Sequence, residues 1–180
     1  NDPQYVNYHN NEWGKAIHDD DTLFELFSLE TQSSGLSWLT VLKKRAGYRE
    51  VFENFSLENV ASYTKDDVNR ILESGLVIKS RPKIEAIINN AKLFLQIKKE
   101  FGSLDNYFWS RINHKTIVND VVDYKLACTT SEISDELAKD LKKRGFSNKP
   151  LLKKWLYSST KLSSHTTLSI LSVSIATLIK

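Results

Sequence analysis

Glu30 is the residue whose setting most strongly suggests chemistry. It follows Leu23 by seven positions, Leu26 by four and Phe27 by three, which places a carboxylate on the apolar face of a helix. Burying an ionised carboxylate is costly unless it is paired or hydrogen-bonded, so Glu30 needs a partner. The partner is either a ligand or, at a helix end, backbone N–H groups across the turn at Gly35. The segment before it is crowded with Tyr5, Tyr8, His9, Glu12, Trp13 and Gly14, and no simple helix or strand period explains them. Such an irregular aromatic stretch supplies flat stacking faces for a planar ligand such as a nucleobase, or else clasps its rings onto a core. Trp38 lies eight residues after Glu30 and three after Gly35, so a tight turn could bring its indole near the carboxylate. A core tryptophan opening a helix is the other reading. The stretch Gly75-Leu76-Val77-Ile78-Lys79-Ser80-Arg81-Pro82-Lys83 sets basic residues beside a helix N-terminus, where either a backbone phosphate or plain solvent satisfies them. His9, His18, His114 and His165 do not combine with Cys128 at metal-binding spacing. Phosphate-loop, dinucleotide-fingerprint and nucleophile-elbow motifs are absent, which argues against ATPase, dehydrogenase and α/β-hydrolase chemistry.

Helices must position these residues. Asp21 is a plausible N-cap for a helix through Leu23, Phe24, Leu26, Phe27 and Glu30. After Gly35, Leu36 to Arg45 reads as a second helix with Trp38, Leu39, Val41 and Leu42 inward and Lys43, Lys44 and Arg45 at its C-terminus. Ser56 caps a short helix through Val60, and another runs from Lys65 past Ile71 and Leu72 to Gly75. Ser80 and Pro82 open the clearest one, with Ile84, Ile87, Ile88, Ala91 and Leu95 on one face and Gly102 at its end. A short helix follows from Leu104 to Ile112. Thr116 to Val122 receive no assignment, and Ser134 opens a charged helix through Leu137, Leu141 and Arg144 that stops at Gly145. Alternating strand patterns are scarce, so the expected fold is all-α.

The chain has 180 residues, 41% hydrophobic and 26% charged, which suits one globular domain or two small lobes sharing a core. A single cysteine cannot form an internal disulfide, and a reducing cytoplasm is the expected compartment. No apolar run is long enough for a membrane span, and no secretory signal pattern opens the chain. It begins at Asn1 and contains no methionine, so it is expected to lack an upstream part of its primary translation product. All 22 acidic residues precede Phe146 and outnumber the 20 basic ones in that part, while five lysines follow it. Nucleic-acid binding must therefore rest on a local basic face. Beyond Phe146 the composition switches to Ser, Thr, Leu, Ile and Lys, and we divide the chain into a helical domain, 1–146, and an atypical C-terminal segment, 147–180.

The ordered set Asp2-Pro3-x-Tyr5-x-x-Tyr8-His9-x-x-Glu12-Trp13-Gly14 and Leu29-Glu30-x-Gln32-x-x-Gly35-Leu36-Ser37-Trp38-Leu39-Thr40-Val41-Leu42-Lys43-Lys44-Arg45 closely resembles the DNA-3-methyladenine glycosylase I family. Gly75-Leu76-Val77, Arg81-x-Lys83-Ile84-x-Ala86-Ile87-x-Asn89-x-Ala91, Phe101-Gly102-Ser103, Trp109-Ser110 and Leu137 to Phe146 extend the resemblance over residues 2 to about 146. It implies a helix-hairpin-helix glycosylase fold and a monomer that hydrolyses the N-glycosidic bond of 3-methyladenine in alkylated double-stranded DNA and also binds the free base. It further implies that Glu30, the catalytic candidate, recognises the methylated base, with Tyr8 and Trp38, then Tyr5 and Trp13, lining the pocket. Alkylation at N3 makes the base cationic, which favours electron-rich rings and a nearby carboxylate and makes the base a good leaving group. The family lacks the water-activating aspartate of many relatives, so Glu30 is not assigned as a general base. The nucleotide must leave the stack, and Gln32, Gly35 and Leu36 form the expected wedge, with Lys143 and Arg144 on the DNA-gripping hairpin. The chemistry requires no cofactor. The family's structural zinc would use a cysteine upstream of Asp2-Pro3, His9, and a late His and Cys. Only His9 matches clearly here, with Ser169 where the last ligand would stand four residues after His165, so zinc is not expected. If the altered tail abolishes excision, the remaining function is that of a DNA-binding module.

Overall fold

The computed structural model describes residues 2–13, 15–115, 118–119, 131–146 and 161–162. Helices carry nearly all of this: α1 (Pro3–Asn11), α2 (Asp20–Gln32), α3 (Trp38–Lys43), α4 (Arg45–Val51), α5 (Leu57–Ser62), α6 (Lys65–Ser74), α7 (Arg81–Phe101), α8 (Leu104–Trp109) and α9 (Glu132–Lys143). Single 3₁₀ turns cover Glu53–Phe55 and Ser110–Ile112, and one short parallel bridge joins β1 (Val118–Asn119) to β2 (Lys161–Leu162). The all-α expectation holds.

α2 and α7 form the centre. Every residue of α2 from Leu23 to Leu29 is buried, so this helix has no solvent face over two turns. Phe24, Phe27, Phe94 and Phe146 meet edge-on or tilted, with Phe27 and Phe94 centroids 4.8 Å apart and Phe94 and Phe146 4.7 Å apart. The expected N-cap at Asp21 moves to Asp19, whose carboxylate accepts from the Thr22 N–H at 2.8 Å. Its two neighbours cap other helices. Asp20 accepts from the N–H groups of Leu104 and Asp105 at the start of α8, and Asp21 from that of Leu57 at the start of α5.

The segment read as irregular is helix α1. Asp2 is its N-cap, accepting from the Gln4 N–H at 3.0 Å, and Pro3 occupies the first turn. No residue of α1 is fully buried, which explains why no apolar period marked it. The single helix expected from Leu36 to Arg45 is two. Ser37 caps α3, and Lys44 leaves helical geometry so that Arg45, instead of ending a helix in solvent, starts α4 and points inward. The last charged helix begins one turn earlier than expected, from a Ser131 cap that exchanges bonds with Ser134.

Gly47 marks the closest approach between α4 and the loop before α7: a Cβ there would lie 2.5 Å from the Leu76 carbonyl oxygen. Gly47→Ala should therefore destabilise by roughly 1–3 kcal/mol, read as a lower urea midpoint with unchanged slope. A midpoint equal to wild type would refute that close approach.

Candidate active site

α1 and α2 both pack on α3, and their side chains converge there. Tyr8 from α1 and Trp38 from the start of α3 meet with ring centroids 5.2 Å apart and planes inclined by 52°. Trp38 is only 9% exposed, and its indole N–H is buried without a protein acceptor. A buried donor of that kind calls for a ligand or an ordered water. Glu30 is half-buried on the last turn of α2. Burial, and after it the negative charge of Glu30, raises the pKa of both the Tyr5 and Tyr8 hydroxyls. The carboxylate and the two phenols therefore share one electrostatic site. At the end of α2 the Ser33 N–H and hydroxyl both donate to the Glu30 carbonyl, and Lys83 Nζ donates to that of Gln32.

Trp13 donates its backbone N–H to the Tyr8 carbonyl at 2.9 Å, but its side chain turns to His9. Its ring stacks on His9 at 5.4 Å with planes 14° apart, and His9 Nδ1 lies 3.0 Å from Asn10 Oδ1. Among the described residues no group of three or more His, Cys, Asp or Glu side chains is placed to hold a metal ion. His165 and Ser169 lie outside the described residues. An open groove of about 680 Å³ beside α1 and α4 is lined by Tyr8, Glu12, Arg45, Arg49 and Glu50, so it touches the aromatic pair through Tyr8, while Trp38 and Glu30 do not line it.

Behind the pair lies a charged network that the sequence reading missed. Glu25, 5% exposed, accepts from Arg45 Nε at 2.7 Å and from Arg49 Nε and Nη2 at 2.7 and 3.1 Å. Arg45 reaches onward to Glu12 at 2.6 Å, which ties the C-cap of α1 to the middle of α2. Burial pushes the Glu25 carboxyl up, but the bonds from Arg49 and Arg45 outweigh it and hold the group below the usual glutamate range. A charge inside the mainly apolar stretch 23–29, with two arginines four residues apart downstream, was the available signal.

The turn after α2 carries Gly35 at φ 75° and Leu36, which at 39% exposure is the large hydrophobic side chain most open to solvent among the described residues. Gln32 does not stand with them. It is fully buried, donating from Nε2 to the Lys83 carbonyl at 3.1 Å and accepting at Oε1 from the Tyr48 hydroxyl at 3.1 Å, so its side chain braces the interior and cannot face a duplex. Arg144 also departs from its expected role. It forms two bonds to Glu100 at 2.6 and 3.0 Å and one to Asp140 at 3.1 Å, leaving its guanidinium committed to carboxylates; Lys143 beside it is exposed. Within the basic loop, Arg81 donates to Asn69, and Lys83 turns back to the end of α2.

The methyladenine glycosylase family model matches residues 1–149. The chain is 46% identical over 142 residues to the DNA-3-methyladenine glycosylase of Haemophilus influenzae, covering 79% of this chain and 77% of that protein. The chain belongs to this family. It is 43% identical over 145 residues to DNA-3-methyladenine glycosylase 1 of Escherichia coli, covering 81% and 78% of the two chains. The solved 3-methyladenine DNA glycosylase I of Staphylococcus aureus superposes with a TM-score of 0.85 at 34% identity, over 94% of this chain and 91% of that one. The family is one of DNA-repair N-glycosidic hydrolases, and this methyladenine glycosylase has the helical fold of its solved relatives. None of its described helices is long and apolar enough to cross a membrane.

Proposed function

We propose that the protein extrudes a 3-methyladenine nucleotide from alkylated duplex DNA and holds its base against Tyr8 and Trp38, with Tyr5 beside them and Glu30 facing the positive charge. The observation that carries this reading is the Tyr8–Trp38 pair with an unpartnered buried indole N–H, under the influence of a half-buried carboxylate. The cationic base gains cation–π attraction from the rings and Coulomb attraction from Glu30, whereas neutral adenine gains neither.

Hydrolysis then asks little of the protein. The electron pair of the C1′–N9 bond passes to the base, which leaves neutral, and water adds to C1′ and gives up a proton. Glu30 favours the charged base in the pocket and stabilises positive charge developing on the sugar. Leu36, exposed on the Gly35 turn, fills the space the base leaves, and Lys143 contributes a phosphate contact. No step passes through a metal; His9, the residue that matches the family's zinc ligands, lies beside Asn10 and stacks on Trp13. The enzyme acts as a cytoplasmic monomer, and residues 1–146 form its working domain.

Titrating the protein with free 3-methyladenine while following tryptophan fluorescence, with adenine as the control, tests the pocket directly. Selective quenching by 3-methyladenine is expected. No response to either base in a folded sample would overturn the assignment of Tyr8, Trp38 and Glu30.

A further inference from the structure

The turn that displays Leu36 has little packing of its own. Ser34 to Ser37 are exposed, nothing lies within 4 Å of where a Gly35 Cβ would be, and the local tie is the Leu36 N–H donating to the Ser33 carbonyl at 2.8 Å. Its fastening comes from α7. Lys83 Nζ donates to the Gln32 carbonyl at 2.7 Å and to the Ser34 carbonyl at 2.9 Å, one on each side of the helix end. Gln32 answers with its own amide on the Lys83 carbonyl, and its other end reaches Tyr48, whose hydroxyl also accepts from the Ile78 N–H at 3.3 Å. One chain of bonds therefore links α2, α4, the loop before α7 and the first turn of α7.

We infer that Lys83 is a positioning residue for Leu36, an ammonium staple that keeps the wedge turn rigid, and not a phosphate-binding lysine. The inference rests on the reading of Leu36 as the wedge. An apolar plug pushed into a base stack must resist the stack reclosing, and a loose turn would lose ordering entropy at every insertion. A cation on the last carbonyls of a helix is favourable in itself. Two of the three ammonium donors are spent on carbonyls and the side chain is half-buried, an arrangement poorly suited to an approaching phosphate.

The test uses the full chain as Lys83→Met, Lys83→Arg and Leu36→Ala. Affinity is measured for a duplex carrying one tetrahydrofuran abasic-site analogue and for undamaged duplex across a salt series, with free 3-methyladenine titration and amide hydrogen exchange over residues 33–37. Lys83→Met should bind the abasic duplex about tenfold more weakly, with unchanged affinity for undamaged duplex and free base and an unchanged salt slope. The Leu36 amide should exchange about tenfold faster, and Lys83→Arg should recover most of both effects. A salt slope shallower by about one, with equal loss on undamaged duplex, would make Lys83 a phosphate contact and overturn the inference. Unchanged exchange in Lys83→Met would overturn it while leaving the wedge intact. If Leu36→Ala binds the abasic duplex as wild type does, the wedge reading itself fails and the positioning role falls with it.

Discussion

Glu30→Gln is expected to lower kcat/KM for release of 3-methyladenine from alkylated duplex about a hundredfold, some 2–3 kcal/mol, while affinity for undamaged duplex stays near wild type. The amide keeps the shape of the carboxylate and removes its charge. The loss therefore measures the attraction between Glu30 and the base while it is still attached to the sugar and cationic, at the lower end of the range for desolvated charge pairs because Glu30 is only half-buried. A second readout needs no ligand. The charge of Glu30 contributes to the raised pKa of the Tyr5 and Tyr8 hydroxyls, so the substitution should bring both down towards the ordinary phenol value in an ultraviolet titration. Lowered tyrosine pKa values with unchanged release of 3-methyladenine from alkylated duplex would place Glu30 in the site but dismiss it from recognition of the charged base.

Arg45→Ala should cost about 3 kcal/mol of stability and loosen the base pocket together with the fold. It removes the cation between Glu12 and Glu25 and leaves Glu25 with Arg49, which is partly solvent-exposed and screened. Because the folded pKa of Glu25 is depressed, its pairing contributes fully above the unfolded glutamate value of about 4.3 and is lost as pH falls through the lower folded value. Without Arg45 the folded value rises, so the variant should be much less stable at neutral pH yet lose stability less steeply on acidification below about pH 4.3. Urea midpoints at neutral and acidic pH check this. Parallel pH profiles for the two proteins would show that Arg45 acts through packing alone.

Helix periodicity located α2, α5, α6, α7 and α9 because each buries an apolar stripe, and the ordered motifs identified the family. α1 escaped because it packs through Tyr5 and Tyr8 without burying any residue fully. Glu30 was read as the acid on the apolar face and is half-buried there, but the deeply buried acid is Glu25. A helix surrounded on all sides has no polar face to which periodicity could assign a charge. Gln32 and Arg144 were placed on the DNA because both stand in motif positions next to exposed neighbours. Lys83 and Tyr48, the partners of Gln32, and Glu100, a partner of Arg144, lie 16 to 51 residues away, and such pairings have no local signature; the Asp140–Arg144 pair, at i,i+4, was open to sequence reading. The aromatic contact between Tyr8 and Trp38 crosses two helices and was legible only as a possibility of spacing.

The two ends of α2 differ in how they are held, and this divides labour along a single helix. At its start three consecutive aspartates tie down the beginnings of α2, α5 and α8, across sequence separations of 3, 36 and 84 residues. Closing the 84-residue loop costs only about 0.7 kcal/mol more in chain entropy than closing the 36-residue one, so one turn of helix can hold distant parts of the chain together. At its end an exposed leucine rides on a turn held by a single lysine. The helix thus has an anchored root and a separately fastened tip, and on the proposal that Leu36 is the wedge, the lysine staple stands between a load applied at that tip and the root that assembles the other helices.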